Sequence, residues 1–209
     1  MKNITFLLAA VSILFTGCAI EQEFYFKQDF SGSYTTRIDM SSLGALGEEM
    51  NPDSIMKDTD LNELQTKYEA IAGLSNVRNS FSEGILLSGF DFNGMASLNK
   101  AFEPEEKAED EEKDSAGLPD NSGLVRFEQK GKKLLVIVDK SDMADGGSEM
   151  EQMGEMITFS VKIGFDKKIK KVKSDVGTWD KANNSITLQF NLNDLSKKDK
   201  NLNSEITLK

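Results

Sequence analysis

The 209-residue sequence contains no histidine, one cysteine, one tryptophan and three prolines. Without histidine it lacks the side chain most used as a general base near neutral pH and the commonest transition-metal ligand. A single cysteine excludes an intrachain disulfide and any cysteine-rich zinc cluster, so no cofactor and no metal is assigned from the sequence. Positive charge is also in deficit. The chain carries 25 Lys and Arg against 35 Asp and Glu, a formal net charge of −10. Nucleic acid is therefore not an expected partner, because its recognition rests on neutralising phosphates.

The longest apolar run is Ile4 to Phe15, interrupted only by Thr5 and Ser12. It falls short of the roughly 20 apolar residues that span a bilayer. Behind Lys2 it matches the apolar region of a secretory signal peptide. Thr16 and Gly17 follow, then Cys18. The stretch Leu14-Phe15-Thr16-Gly17-Cys18 resembles the lipobox of bacterial lipoproteins. That resemblance implies that the Cys18 thiol receives diacylglycerol and that the chain is cut just before it. Residues 1–17 are then the signal peptide and residues 18–22 a short tether. Two or three acyl chains, at about 0.8 kcal/mol per buried methylene, anchor stably where one chain is marginal. The expected location is the cell envelope, with the protein lipid-anchored to the outer membrane on its periplasmic or surface face. An ordinary secretory signal is the alternative, and it leaves Cys18 as an unpaired thiol in an oxidising compartment. An uncleaved helix is a further alternative, for which the run is short.

Beyond the tether, alternation dominates. Phe24 and Phe26 alternate with Tyr25 and Lys27, and Tyr34, Thr36, Ile38 and Met40 share one face beyond Gly32, which predicts a hairpin. Asp60 to Ala72 predicts a helix, with Leu61, Leu64, Tyr68 and Ile71 on one side and Gly73 as its stop. A second hairpin is predicted across Ser82-Glu83-Gly84, and a short helix carries Met95, Leu98 and Phe102. Leu124–Glu128 and Lys133–Val138 form a third hairpin, whose second strand reads as central because it is apolar on both faces. Ile157, Phe159, Val161, Ile163 and Phe165 alternate over nine residues, the clearest strand in the chain. Ile186, Leu188, Phe190 and Leu192 repeat the pattern, and Glu205–Leu208 reads as a last edge strand. The expected fold is α+β: an antiparallel sheet of hairpins with two or three helices packed on one face, forming a single domain over residues 23–209. Within it, residues 103–122 read as a disordered acidic insertion, because residues 103–114 hold eight acids, two lysines and no sizeable apolar side chain.

Patterns that carry chemistry are sparse. Ser54-Ile55-Met56-Lys57 and Ser97-Leu98-Asn99-Lys100 both have the Ser-x-x-Lys spacing of penicillin-binding enzymes, but the companion Ser-Asp-Asn and Lys-Thr-Gly elements are missing. Asp139, Asp142 and Asp145 are three apart, whereas a calcium loop of the EF-hand kind needs acids two apart and a glutamate at the twelfth position, where Met150 stands. No catalytic residue is assigned. Lys167, Lys168, Lys170, Lys171 and Lys173 form the one basic cluster, read first as a solvent-facing strand that offsets the negative field, with contact to anionic lipid, polysaccharide or a partner protein as the alternative.

Phe30-Ser31-Gly32-Ser33-Tyr34 followed by Ile38-Asp39-Met40-Ser41 resembles small Bacteroidetes lipoproteins of unassigned activity. The order of elements is also similar to LppM-type lipoprotein domains, with Phe92…Leu98-Asn99-Lys100-Ala101 and Phe165…Trp179 as counterparts of their mid-chain and late segments. The resemblance implies an envelope-exposed α+β domain and carries over no catalytic residue. The resulting expectation is a non-enzymatic binding or structural domain tethered through Cys18, with a lipid, a glycan or an envelope protein as partner. A hydrolase of envelope polymers using paired carboxylates, or an assembly or export accessory, are the alternatives.

Overall fold

The computed structural model describes residues 19–41, 61–103, 124–140, 154, 157–197 and 199–209. The signal peptide, Cys18, the pair Ser54 and Lys57, residues 104–122 of the acidic insertion, Asp142 and Asp145 lie outside them.

Strand β1 (Ala19–Phe26) follows the predicted alternation, with Ile20, Gln22, Phe24 and Phe26 buried and Glu21, Glu23 and Tyr25 exposed. It pairs antiparallel along its whole length with β2 (Gly32–Asp39). Only glycine fits at the start of β2, because a β-carbon on Gly32 would stand 1.8 Å from the Tyr25 carbonyl oxygen. Next come α1 (Leu61–Glu69), β3 (Leu74–Ser82), β4 (Ile85–Phe92) and α2 (Met95–Ala101). The β3–β4 turn places both Glu83 and Gly84 at positive φ, 53° and 75°, the backbone twist that tight hairpins prefer. The second half holds β5 (Val125–Lys130), β6 (Lys133–Val138), β7 (Thr158–Phe165), β8 (Ile169–Ser174), β9 (Gly177–Asp180), β10 (Ser185–Asn191), α3 (Leu192–Ser196) and β11 (Ser204–Leu208).

These strands build two sheets. One has seven strands in the order β3-β4-β2-β1-β7-β10-β9, and the other has four in the order β5-β6-β11-β8. Their apolar faces meet in one core cluster. Phe127 of β5 lies edge-on to Phe24 and Phe26 of β1, with ring centroids 4.8 and 5.3 Å apart. Such edge-to-face pairs add attraction beyond the area they bury.

This architecture corrects the α+β expectation. The molecule is rich in β-structure, and the layer over the larger sheet is a second sheet, not a set of helices. The three described helices have only five to nine residues, and α1 buries none of its side chains. Alternating residues in β5, β6 and β11 supply the covering face instead: Phe127, Leu134, Val136, Ile206 and Leu208 all point inward. The pairing is not purely antiparallel either, because β1 and β7 run parallel. Parallel neighbours need a crossover, and here it is the whole stretch between Phe26 and Thr158.

Three smaller expectations also change. Residues 19–22 are not a tether, because they form the first half of β1 and are paired on both sides. Strand β11 is interior, lying between β6 and β8. Strand β6 is central to its sheet, but its two faces differ: Leu134, Val136 and Val138 are buried, while Leu135 and Ile137 are only half-buried.

Candidate functional site

Strand direction gives the molecule two ends. Ala19 pairs with Asp39 and Thr158, and Thr158 pairs with Asn191, so the start of β1, the end of β10 and the start of α3 share the near end. The far end carries the β1–β2 turn and the β7–β8 turn, because Phe26 pairs with Gly32 and Phe165. A strand of eight residues sets the two ends about 25 Å apart.

The near end is built by short-range bonds. Asn191 caps α3 by accepting from the Asp194 backbone N–H at 3.0 Å, while the Asp194 carboxylate accepts from the Asn191 N–H at 3.3 Å. That reciprocal pair satisfies two donors the helix start would leave free. Burial works against ionisation of Asp194, but Lys200 at 2.7 Å and the Asn191 N–H outweigh it and hold the carboxyl below the usual range. Around it Val138, Lys140, Leu195, Lys200 and Leu202 line an open cavity of about 510 Å³.

Within the core, one cross-strand row is polar. Asn79, Ser88, Thr36 and Gln22 stand side by side on β3, β4, β2 and β1. Ser88 donates to Asn79 Oδ1 at 2.6 Å, and Gln22 Nε2 donates to the Tyr34 hydroxyl at 3.3 Å. Gln22 Oε1 and Asn79 Nδ2 meet no partner among the described residues. Burial, followed by the nearby Tyr68 phenol, pushes the Tyr34 hydroxyl above its usual 10.0. It is a neutral hydrogen-bonding group under all ordinary conditions.

The catalytic patterns from sequence resolve differently. Ser97 is buried in α2 and bonds to Asn93 Oδ1 at 3.1 Å and the Gly94 carbonyl at 2.9 Å, so its hydroxyl ties down the helix start. Its neighbour Asn99 acts as a backbone mimic: its amide donates to the Phe127 carbonyl at 2.8 Å and accepts from the Phe127 N–H at 3.1 Å, covering part of the β5 edge. Among the described residues, no group of three or more acids or cysteines is arranged to hold a metal ion. The described carboxyls with a resolved shift, Asp29, Asp39, Asp180, Asp194 and Glu205, all move downward. A general acid that must hold its proton requires the opposite shift.

The far end gathers the lysines. Lys168, Lys170 and Lys171 from the sequence cluster lie on the β7–β8 turn and on β8, an edge strand. Folding adds Lys130, Lys132 and Lys133 from the β5–β6 hairpin, because β11 bridges the two strands: Thr207 pairs with both Lys133 and Lys171. The Leu208 N–H donates to the Lys132 carbonyl at 2.8 Å and the Lys209 N–H to the Lys168 carbonyl at 2.9 Å, locking the two turns together. All six lysines and Lys209 are exposed. Few carboxylates oppose them. Glu128 pairs with Lys130 at 3.2 Å, and Glu205 pairs with Lys133 at 3.2 Å and Lys173 at 3.7 Å. Lys133, foremost by its hydrogen bond, holds the Glu205 carboxyl low.

Two further residues shape this end, and neither stands out in the sequence. Asn184, with φ of 52°, donates to the carbonyls of Phe165 and Lys167 and accepts from the Ile169 N–H at 2.9 Å, so one side chain fixes the whole β7–β8 turn. Tyr25 is 42% exposed on the outer face of the large sheet. Its ring sits against Gly164, where an added β-carbon would come within 3.1 Å of it. Its hydroxyl donates to Asp166 at 2.5 Å, and that bond is the main cause that raises its pKa. Strand alternation around Tyr25 is legible, but its glycine seat is set by the parallel partner β7.

No family model matches this chain, and no curated protein matches it. Among solved structures, the NMR structure of the folded domain of the Mycobacterium tuberculosis LppM protein is similar at 10% identity over 93% of each chain, with a TM-score of 0.46. No helix among the described residues is long and apolar enough to cross a membrane.

Proposed function

We propose that the chain is a bacterial cell-envelope lipoprotein, a non-enzymatic binding domain held on the outer membrane through an acylated Cys18. The observation that carries this reading is the position of β1. The residue after Cys18 is already in the sheet, flanked by β2 and β7 and paired with both. A lipid on Cys18 then acts on a strand clamped from two sides, and it holds the near end against the membrane with no slack between anchor and fold.

Cys18→Ser, expressed in the bacterium of origin, tests the anchor. The expected result is accumulation of unprocessed precursor or release of the chain into the soluble fraction. Processing and membrane retention equal to the parent chain would overturn the acyl anchor.

A further inference from the structure

We propose that the outer face of the four-stranded sheet is the docking surface for the chain's own acidic segment, residues 104–122. This goes beyond the reading of the chain as an anchored domain and does not rest on it. Strand alternation turns one set of side chains outward on this sheet. Lys130, Lys133, Thr207 and Lys171 make one cross-strand row, and Glu128, Leu135, Glu205 and Lys173 make the next. Arg126 stands in a third row, opposite Ile137. Five cations thus share one face with two carboxylates, on a chain whose net charge is −10. Both carboxylates are already engaged. Glu128 lies 3.2 Å from Lys130 and 3.9 Å from Arg126, and Glu205 lies 3.2 Å from Lys133 and 3.7 Å from Lys173. The face keeps a surplus of positive charge.

The chain carries the complementary charge beside this face. Residues 104–122 hold eight acids and two lysines. They start just past α2 and end just ahead of Leu124, and both points flank β5, an edge strand of the small sheet. On one side, Asn99 of α2 brackets the Phe127 backbone, donating at 2.8 Å and accepting at 3.1 Å. On the other, the Leu124 carbonyl accepts from the Asp139 N–H at 3.0 Å, immediately before β5 begins. The face is three strand spacings wide, about 14 Å. A fully extended stretch as long as 104–122 reaches on the order of 65 Å, ample length to cross the face and return. Attachment at both ends also singles this segment out among polyanions. Tethered beside its surface, it is present there at an effective concentration on the order of millimolar, which a free polyanion has to outcompete. Lysines suit such an occupant, because point charges on flexible stems pair with a run of carboxylates without one fixed geometry. Each exposed pair is weak and screened by salt, so the docking rests on the number of pairs and on the tether.

The test treats the full processed chain, in mild detergent, with a carbodiimide, which joins carboxylates to amines already in contact, and maps the links by peptide mass spectrometry. Links are expected at low salt from the acids between Glu105 and Asp114 to Lys130, Lys133, Lys171 or Lys173. High salt should reduce them at least about threefold, because it screens exposed pairs. Links from Glu128 to Lys130 and from Glu205 to Lys133 serve as the internal control. An equal mixture of isotope-labelled and unlabelled chains shows whether each link lies within one chain, the expected result. A second measurement compares acetylation rates in the variant Glu105→Gln, Glu106→Gln, Glu109→Gln, Asp110→Asn, Glu111→Gln, Glu112→Gln, Asp114→Asn. Lys133 and Lys171 should react at least about threefold faster than in the parent chain, with Lys162 on the larger sheet unchanged and the thermal midpoint kept. Absence of segment-to-face links while the control links form would overturn the proposal. So would links found only between labelled and unlabelled chains, which would make a second copy the occupant. Equal acetylation in variant and parent would overturn it too, by showing the face uncovered. None of these results bears on the acyl anchor, which is read from processing at Cys18.

Discussion

The two sheets share one interior and differ outside. Inward, both present mainly phenylalanine and branched aliphatics at alternate positions, interrupted in the larger sheet by the polar row of Gln22, Thr36 and Ser88. Outward, the seven-stranded sheet shows polar residues of both charges, Ser33, Thr35 and Arg37 on β2, Glu21 and Glu23 on β1, Ser160 and Lys162 on β7, beside the exposed Tyr25 and Leu87. The four-stranded sheet shows Arg126, Lys130, Lys133, Lys171 and Lys173 against Glu128 and Glu205. Burial constrains one face of each strand tightly and the other hardly at all. The inner faces decide that the sheets pack, and the outer faces are free to differ in what they meet. The larger sheet carries the clamped start of the chain, and the smaller one carries the charge.

The most forceful way to break this shared interior is Phe127→Ala. Phe127 is fully buried and touches both Phe24 and Phe26 across the sheets. Its loss should cost about 3–5 kcal/mol in urea unfolding, with both sheets melting in one transition. A variant that unfolds in two steps would show that the sheets are separate units. Next in size is Asn184→Ala. Removing three bonds from the β7–β8 turn should cost about 1–3 kcal/mol and raise amide exchange at Lys167–Ile169 more than in β6, which sharpens the contrast between the lysine turn and the sheet behind it.

A smaller effect appears at high pH. The fold favours the neutral Tyr34 phenol, so its contribution is whole below the unfolded value near 10.0 and is lost as pH rises toward the higher folded value. The urea midpoint should therefore fall above pH 10 in the parent chain and fall less in Tyr34→Phe. Equal alkaline losses in the two would remove Tyr34 as the cause. The smallest change is expected on the balanced outer face. Lys162 and Glu23 pair at 2.8 Å, but both are about half exposed. Their double-mutant coupling should be below about 1 kcal/mol and shrink further in salt.

Much of this was legible along the chain, because period-two alternation reports which face of a strand is buried. The β1–β2 hairpin, the turn at Glu83-Gly84 and the long strand Thr158–Phe165 all follow from it. Alternation does not report what does the burying. The face of Phe24 and Phe26 was open to helices or to a second sheet, and the choice depends on partners a hundred residues away. The parallel contact of β1 with β7 and the insertion of β11 between β6 and β8 are of the same kind: long-range pairings with no local signature. The lysine surface shows the same limit. Lys167–Lys173 is visible as a run, whereas Lys130–Lys133 joins it only through β11. Tyr25, on the outer face of the larger sheet, gains its flat seat only through Gly164. Asn184 and Asn99 were silent because an asparagine that mimics backbone looks like any loop residue.

The proposed acyl anchor holds the domain at its near end, where β1 begins. Intact mass on protein extracted from its native membrane tests it most directly. The expected value is the mass of residues 18–209 plus two or three acyl chains. A mass for the same residues with no lipid, or for a chain cut elsewhere, would contradict it.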